Sequence, residues 1–191
     1  MKKLILLFAM ALVMQSCYVT IEIPPCMNGN LTPEQTNSIC WLSDTTSLIG
    51  LDNDDCIYAI NSNQMKDLLI AKDRTIVYRW LPYDMKNNIP IYFVQSYCDE
   101  NNIELYVITN EYTAAFAEID NVKNPIFSMN IGDCMINVEN KLEDKFYKEL
   151  FGNKYKKKFH IYYLENGEFV RTEDEMMNEK WKKKWGTKIF M

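Results

Sequence analysis

Thr75-Ile76-Val77-Tyr78-Arg79-Trp80-Leu81-Pro82 is the stretch on which the fold turns. Its β-branched and aromatic side chains suit a pleated surface, and Asp73 and Pro82 bound it, so Thr75 to Trp80 reads as a strand. Upstream, Asn61 and Gln64 form a capping-box pattern, and Met65, Leu68 and Leu69 at helical spacing predict a helix over Ser62 to Lys72. Downstream, Ile89, Phe93 and Tyr97 fall four apart between Pro90 and Asn101-Asn102, which predicts a second helix. Ile103 to Thr109 follows as a buried strand, since Ile-Glu-Leu-Tyr-Val-Ile is mostly apolar.

Further along the chain, Thr113 to Ile119 reads as a shorter helix, and Asn124-Pro125 breaks the chain before an apolar Ile126-Phe127. Glu139 to Phe151 carries Leu142, Phe146, Leu150 and Phe151 on one side and is closed by Gly152, which predicts a strong helix. Phe159 to Leu164 and Glu168 to Thr172 flank Glu165-Asn166-Gly167, where Asn-Gly supplies the positive φ angles of a tight hairpin. A last helix is predicted over Glu173 to Trp185. Its acidic start and the Lys182-Lys183-Lys184 run at its end suit the helix dipole, with membrane-surface contact through Trp181 and Trp185 as the alternative. Helices alternating with strands, then a hairpin, imply an α/β fold whose sheet has helices on both faces. Right-handed crossovers would make the first two strands parallel, and the hairpin would add antiparallel ones. No internal repeat or low-complexity stretch is present.

The N-terminal residues 1–17 read MKKLILLFAMALVMQSC. Lys2 and Lys3 precede an apolar run from Leu4 to Met14, the order of an export signal. That run is shorter than the ~20 residues a membrane helix needs. Ser16 before Cys17 resembles the lipobox of bacterial lipoproteins, in which cleavage leaves the cysteine as the N-terminus and its thiol takes diacylglycerol. Met14 and Gln15 stand where that family usually has Leu and Ala or Ser. The resemblance implies lipidation of Cys17 and a membrane contact through that lipid, each buried methylene contributing roughly 0.8 kcal/mol. Tyr18 to Ile21 contain no acidic residue, so the expected location is the outer membrane, facing the periplasm.

The resulting organisation is a signal over 1–16, a tether and irregular region over 17–56, one domain over 57–185 and a tail over 186–191. Pro24, Pro25, Gly29, Pro33 and Gly50 among Asn, Ser and Thr give the second region no sustained period, although Thr32-Pro33-Glu34 can open a short turn of helix. The whole chain carries 21 basic and 26 acidic residues; without Lys2 and Lys3 the basic count is 19 and the net charge −7, against a general nucleic-acid binder.

Besides Cys17, five cysteines remain: Cys26, Cys40, Cys56, Cys98 and Cys134. In an oxidising compartment that number allows two bridges and a free thiol, with the pairing open. A bridge among Cys26, Cys40 and Cys56 would help most, because they lie in the irregular region; the other reading is five small buried or loop thiols. No C-x-x-C is present, and His160 is the only histidine, which argues against a Cys/His zinc site and against a catalytic triad. Asp52, Asp54 and Asp55 lack the Gly and distant Glu of an EF-hand loop and read as a solvated turn. No cofactor is expected.

The order of elements, with the Thr75 to Pro82 phrase, Ser96-Tyr97-Cys98 through Ile108 and the Asn-Gly hairpin, resembles the thioredoxin-like superfamily, in particular its membrane-tethered periplasmic branch. The resemblance covers roughly Ile57 to Trp185 and implies a three-layer α/β/α domain with a central mixed sheet. The family's chemistry needs two cysteines at a helix N-terminus, where the dipole stabilises a thiolate. Here Leu81-Pro82-Tyr83-Asp84-Met85-Lys86-Asn87-Asn88 follows Trp80, so the dithiol is missing and Asp84 is left to cap the helix. Pro125 is one candidate for the family's cis-proline; if it instead opens a segment inserted between strands, that proline is absent altogether. The scaffold is therefore carried over without the oxidoreductase activity. The expected function is a binding or accessory module, with no catalytic residues, contacting a periplasmic protein or peptide through Trp80, Pro82, Tyr83, Asp84 and Met85. The alternative is a thiol oxidoreductase or peroxidase using a lone cysteine, Cys98 or Cys134. A third reading is an accessory lipoprotein of a transport or secretion system.

Overall fold

The computed structural model describes residues 31–83, 89–129 and 136–172. In chain order these form α1 (Pro33–Asn37), β1 (Ile39–Trp41), β2 (Ile57–Ile60), α2 (Ser62–Ile70) and β3 (Arg74–Arg79). There follow α3 (Ile91–Asn101), β4 (Glu104–Thr109), α4 (Tyr112–Glu118), β5 (Ile126–Met129), α5 (Ile136–Phe151), β6 (Ile161–Glu165) and β7 (Glu168–Thr172). Among the described residues the strands make one mixed seven-stranded sheet in the order β1-β2-β5-β4-β3-β6-β7. The first five in that order are parallel, while β6 and β7 run antiparallel. The chain is thus α/β, and its architecture is compatible with three layers.

Local chemistry explains most boundaries. Asn61 and Gln64 do close a reciprocal capping box, satisfying donors that the first turn of α2 leaves unpaired. Asn102 ends α3 with a left-handed φ of 53°, a conformation Asn tolerates better than most residues. At the hairpin, Asn166 and Gly167 take φ of 49° and 76°. Gly167 is required twice over, because a Cβ there would lie 2.9 Å from the Cα of Ile70 at the end of α2. The helix expected over Glu173 to Trp185 lies outside the described residues.

Three strands were not legible as strands. The region expected to be tether up to Cys56 carries ordered structure from α1 onward, and β1 joins the sheet beside β2 with Ile39 opposite Ile57. Ile39 and Leu48 from that region are buried in the core. Thr32, with Pro33 and Gln35, builds the short helix that leads into it. β2 and β5, Ile-Tyr-Ala-Ile and Ile-Phe-Ser-Met, are buried on both faces and pair with each other, so neither shows an alternating pattern. Pro125 directly before β5 is not a cis-proline: among the described residues no peptide bond is cis. Its role is to start the strand, where the missing N–H is least costly.

Helices cover both faces of β3. Successive strand residues point to opposite sides. Tyr78 reaches the head of α3 through Ile89, whereas Arg79 reaches Glu143 on α5. On the α5 side, Tyr147 stacks near Phe151, Tyr155 and Tyr162, and Phe151 lies 4.1 Å from Tyr162, centroid to centroid. This aromatic stack fastens α5 to β6. At its edge, Arg79 Nε donates to Glu143 Oε1 at 2.6 Å and Nη1 donates to the Lys157 carbonyl at 3.0 Å. Both charged side chains are buried, and the guanidinium sits 5.8 Å above the Tyr147 ring. Burial opposes the charge on Arg79, yet the bond to Glu143 and its negative charge hold the guanidinium pKa above its ordinary value.

Breaking such a pair on one side leaves an uncompensated charge in the core. Glu143→Leu should therefore lower stability by about 3–5 kcal/mol, and adding Arg79→Met should recover most of it. Urea unfolding of the three proteins checks this; a Glu143→Leu midpoint equal to that of the wild type would show that the pair organises nothing.

Candidate functional site

In sheets of parallel strands, ligands bind beyond the carboxyl ends of the strands, where connecting loops gather. At the carboxyl end of β3 the chain continues through Trp80 and Leu81, both buried. The Trp80 N–H donates to the Ile108 carbonyl at 2.9 Å, which prolongs the β3–β4 ladder by one residue. The Trp80 indole Nε1 has no hydrogen-bond partner among the described residues. Pro82 is half-buried and Tyr83 is 66% exposed. Asp84 and Met85 lie outside the described residues. Of the five residues expected to make partner contact, Trp80 is thus a core residue, and Tyr83 presents a side chain to solvent.

The far end of this loop is pinned. The Tyr78 hydroxyl donates to the Ile89 carbonyl at 2.7 Å and accepts from the Ile89 N–H at 3.0 Å. One phenol on β3 thereby satisfies both backbone groups of the residue at which the chain comes back to start α3. The chain leaves β3 after Arg79 and is held at Ile89 by the neighbouring Tyr78 of the same strand, so the base of the connection is fixed. The capping role expected of Asp84 is not needed in that form: Pro90 occupies the N-cap of α3, its ring offers no capping side chain, and the Phe93 N–H donates to its carbonyl.

On the other side of β3, the Arg79 N–H donates to the His160 carbonyl at 2.7 Å, tying the entry of β6 to the end of β3. His160 is buried at this junction. Its backbone serves the sheet.

The remaining thiols sit elsewhere. Cys98 is fully buried towards the end of α3. Burial, with Asp99 beside it, pushes its pKa up to about 12, so at neutral pH it is a thiol and a poor nucleophile. It borders a cavity of about 560 Å³ at the amino ends of β3 and β4, together with Lys72, Arg74, Gln95, Asp99 and Lys123. Two ion pairs line this cavity, Lys123 with Asp99 at 2.7 Å and Lys72 with Glu104 at 3.0 Å, while Arg74 donates to the Tyr163 hydroxyl and the Asn101 carbonyl. The cavity and the loop after β3 thus occupy opposite ends of the sheet. Cys40 and Cys56 are free thiols at the β1 edge, so the bridge expected among Cys26, Cys40 and Cys56 is not formed between these two. Cys17, Cys26 and Cys134 lie outside the described residues. Among the described residues no group of three or more His, Cys, Asp or Glu side chains could hold a metal ion, and no helix is long and apolar enough to cross a membrane.

If Tyr78 anchors the loop, Tyr78→Phe leaves the Ile89 N–H and C=O without it. The variant should lose about 1–3 kcal/mol and exchange the Ile89 amide hydrogen markedly faster than the wild type. Unchanged exchange at Ile89 would show that the loop base is held by other contacts.

No protein-family model matches the chain, and neither the curated proteins nor the solved structures yield a match to it.

Proposed function

We propose that the chain is an exported lipoprotein, anchored by lipid on Cys17 in the outer membrane and facing the periplasm, whose thioredoxin-like domain binds a protein or peptide partner. The observation that carries this reading is the loop after β3. Its base is held by Tyr78 at Ile89, it exposes Tyr83, and the sequence from Trp80 to Pro90 contains no cysteine. A loop anchored at its base with an exposed aromatic suits recognition, because fixing its ends reduces the entropy lost on binding, and a phenol ring offers both apolar area and a hydrogen-bonding tip. Without a sulfur pair at that place, the loop has no means of exchanging electrons with what it touches.

Two further observations support the scaffold and the anchor. The strand order β4-β3-β6-β7, with β3 and β4 parallel and the last two antiparallel, is the arrangement the resemblance implies around the loop. Lys2-Lys3, the apolar run to Met14 and Ser16-Cys17 support export and lipid attachment.

A photo-crosslinking residue in place of Tyr83 should capture a partner in intact cells, whereas the same residue in place of Ile70, which is equally exposed at the other end of the sheet, should not. Equal capture at both positions, or undiminished partner binding after replacing Tyr83, Asp84 and Met85 with Ala, removes the loop from the account. The anchor is tested separately with a labelled fatty acid, which should enter the wild type and be absent from Cys17→Ser. Equal labelling of both ends the lipoprotein reading.

A further inference from the structure

The thiols of Cys40 and Cys56 are brought together by the register of the sheet's outermost pair of strands. β1 and β2 run parallel with Ile39 opposite Ile57 and Cys40 opposite Tyr58. Side chains two residues apart on an extended chain share a face, so Cys56, two residues before Tyr58, emerges on the face that carries Cys40. The two thiols are in hydrogen-bonding contact, and both lie close enough to the Tyr58 phenol to act on it electrostatically, as expected for three neighbours on one face. Both cysteines are half-buried, which leaves them within reach of a small oxidant. No third ligand completes a metal site around them among the described residues.

Their position gives a crosslink something to do. β1 is three residues long and outermost among the described strands, held to β2 by bonds such as Ile57 N–H to Ser38 C=O at 3.0 Å and Leu42 N–H to Ala59 C=O at 3.4 Å. Between the cysteines runs a connection in which Gly50 and Asp55 take positive φ of 83° and 57°. Such a segment, with few ladder bonds and a long connection, is the kind of element that opens locally before the rest of a domain.

We propose that Cys40 and Cys56 form a reversible disulfide that fastens the edge strand β1 to β2. The oxidant is a disulfide of low molecular weight. One protein thiolate attacks a sulfur of that disulfide and expels one thiol, giving a mixed disulfide; the other protein thiolate then attacks the protein sulfur and expels the second. Two S–H bonds of the protein and one S–S bond of the oxidant are lost, one S–S bond forms between Cys40 and Cys56, and the two protons and two electrons leave with the two thiols. Burial and the adjacent Cys40 push the Cys56 thiol up to about 11, so in the reduced protein Cys56 rests as a thiol and waits for an oxidant. This site is separate from the loop after β3 and does not rest on its binding role.

The test uses the full chain, reduced and then incubated with glutathione disulfide, with peptides mapped by mass spectrometry without reduction. The expected result is a single linked pair of peptides joined through Cys40 and Cys56, absent from Cys40→Ala and from Cys56→Ala and reversed by dithiothreitol. In the wild type alone, oxidation should hide Cys40 and Cys56 from maleimide labelling without adding glutathione to either, and should raise the thermal midpoint. Glutathione retained on one or both cysteines with no link between them overturns the proposal, as does a link from either to Cys26, Cys98 or Cys134.

Discussion

Arg79 and Glu143 place opposite charges inside the protein, and much of the architecture can be traced to the need to keep them together. The guanidinium comes from the last residue of the interior strand β3 and the carboxylate from the middle of α5, so their bond sets the position of that helix over the sheet. Arg79 also takes the Lys157 carbonyl, which steers the chain between α5 and β6 towards the strand it must join. Desolvating two charges is expensive, and a pair of this kind adds little net stability over a well-packed apolar alternative. What it supplies is discrimination: any other placement of α5 strands a charge in the core. The stacked rings of Tyr147, Phe151, Tyr155 and Tyr162 then fill the space the pair defines.

The two ends of the same strand differ. Its amino end borders a cavity lined by two ion pairs, whereas its carboxyl end releases a segment that Tyr78 meets again at Ile89. Just past that carboxyl end Tyr83 carries an exposed phenol. Cys98 belongs to the first end, which separates the most deeply buried thiol from the place where the scaffold presents a surface.

How much of this could be read beforehand followed the length and periodicity of each segment. β3, β4, α5 and the hairpin have long runs or strong caps and were legible to within a few residues. β2 and β5 are four-residue apolar runs buried on both faces, and such runs carry no period to distinguish them from loop or helix. β1 is shorter still, and its membership of the sheet depends on a partner far along the chain. At the candidate site, the absence of cysteine from Leu81 to Pro90 could be read directly. Neither the Arg79–Glu143 pair nor the meeting of Cys40 with Cys56 could be, because each depends on which strand or helix becomes a neighbour, and sequence spacing does not encode that.

The antiparallel pairing of β6 with β3 has a consequence for the order in which the molecule can be made. β3 is synthesised early, but its second neighbour comes from near the other end of the chain, after β4, β5 and α5. A nascent or translocating chain that has not yet released β6 holds β3 with one open edge, its N–H and C=O groups unpaired and ready to recruit a strand from another molecule. The turn at Gly167, which seats against Ile70, can dock only after that pairing has formed. Completion of this sheet is therefore a late, long-range event.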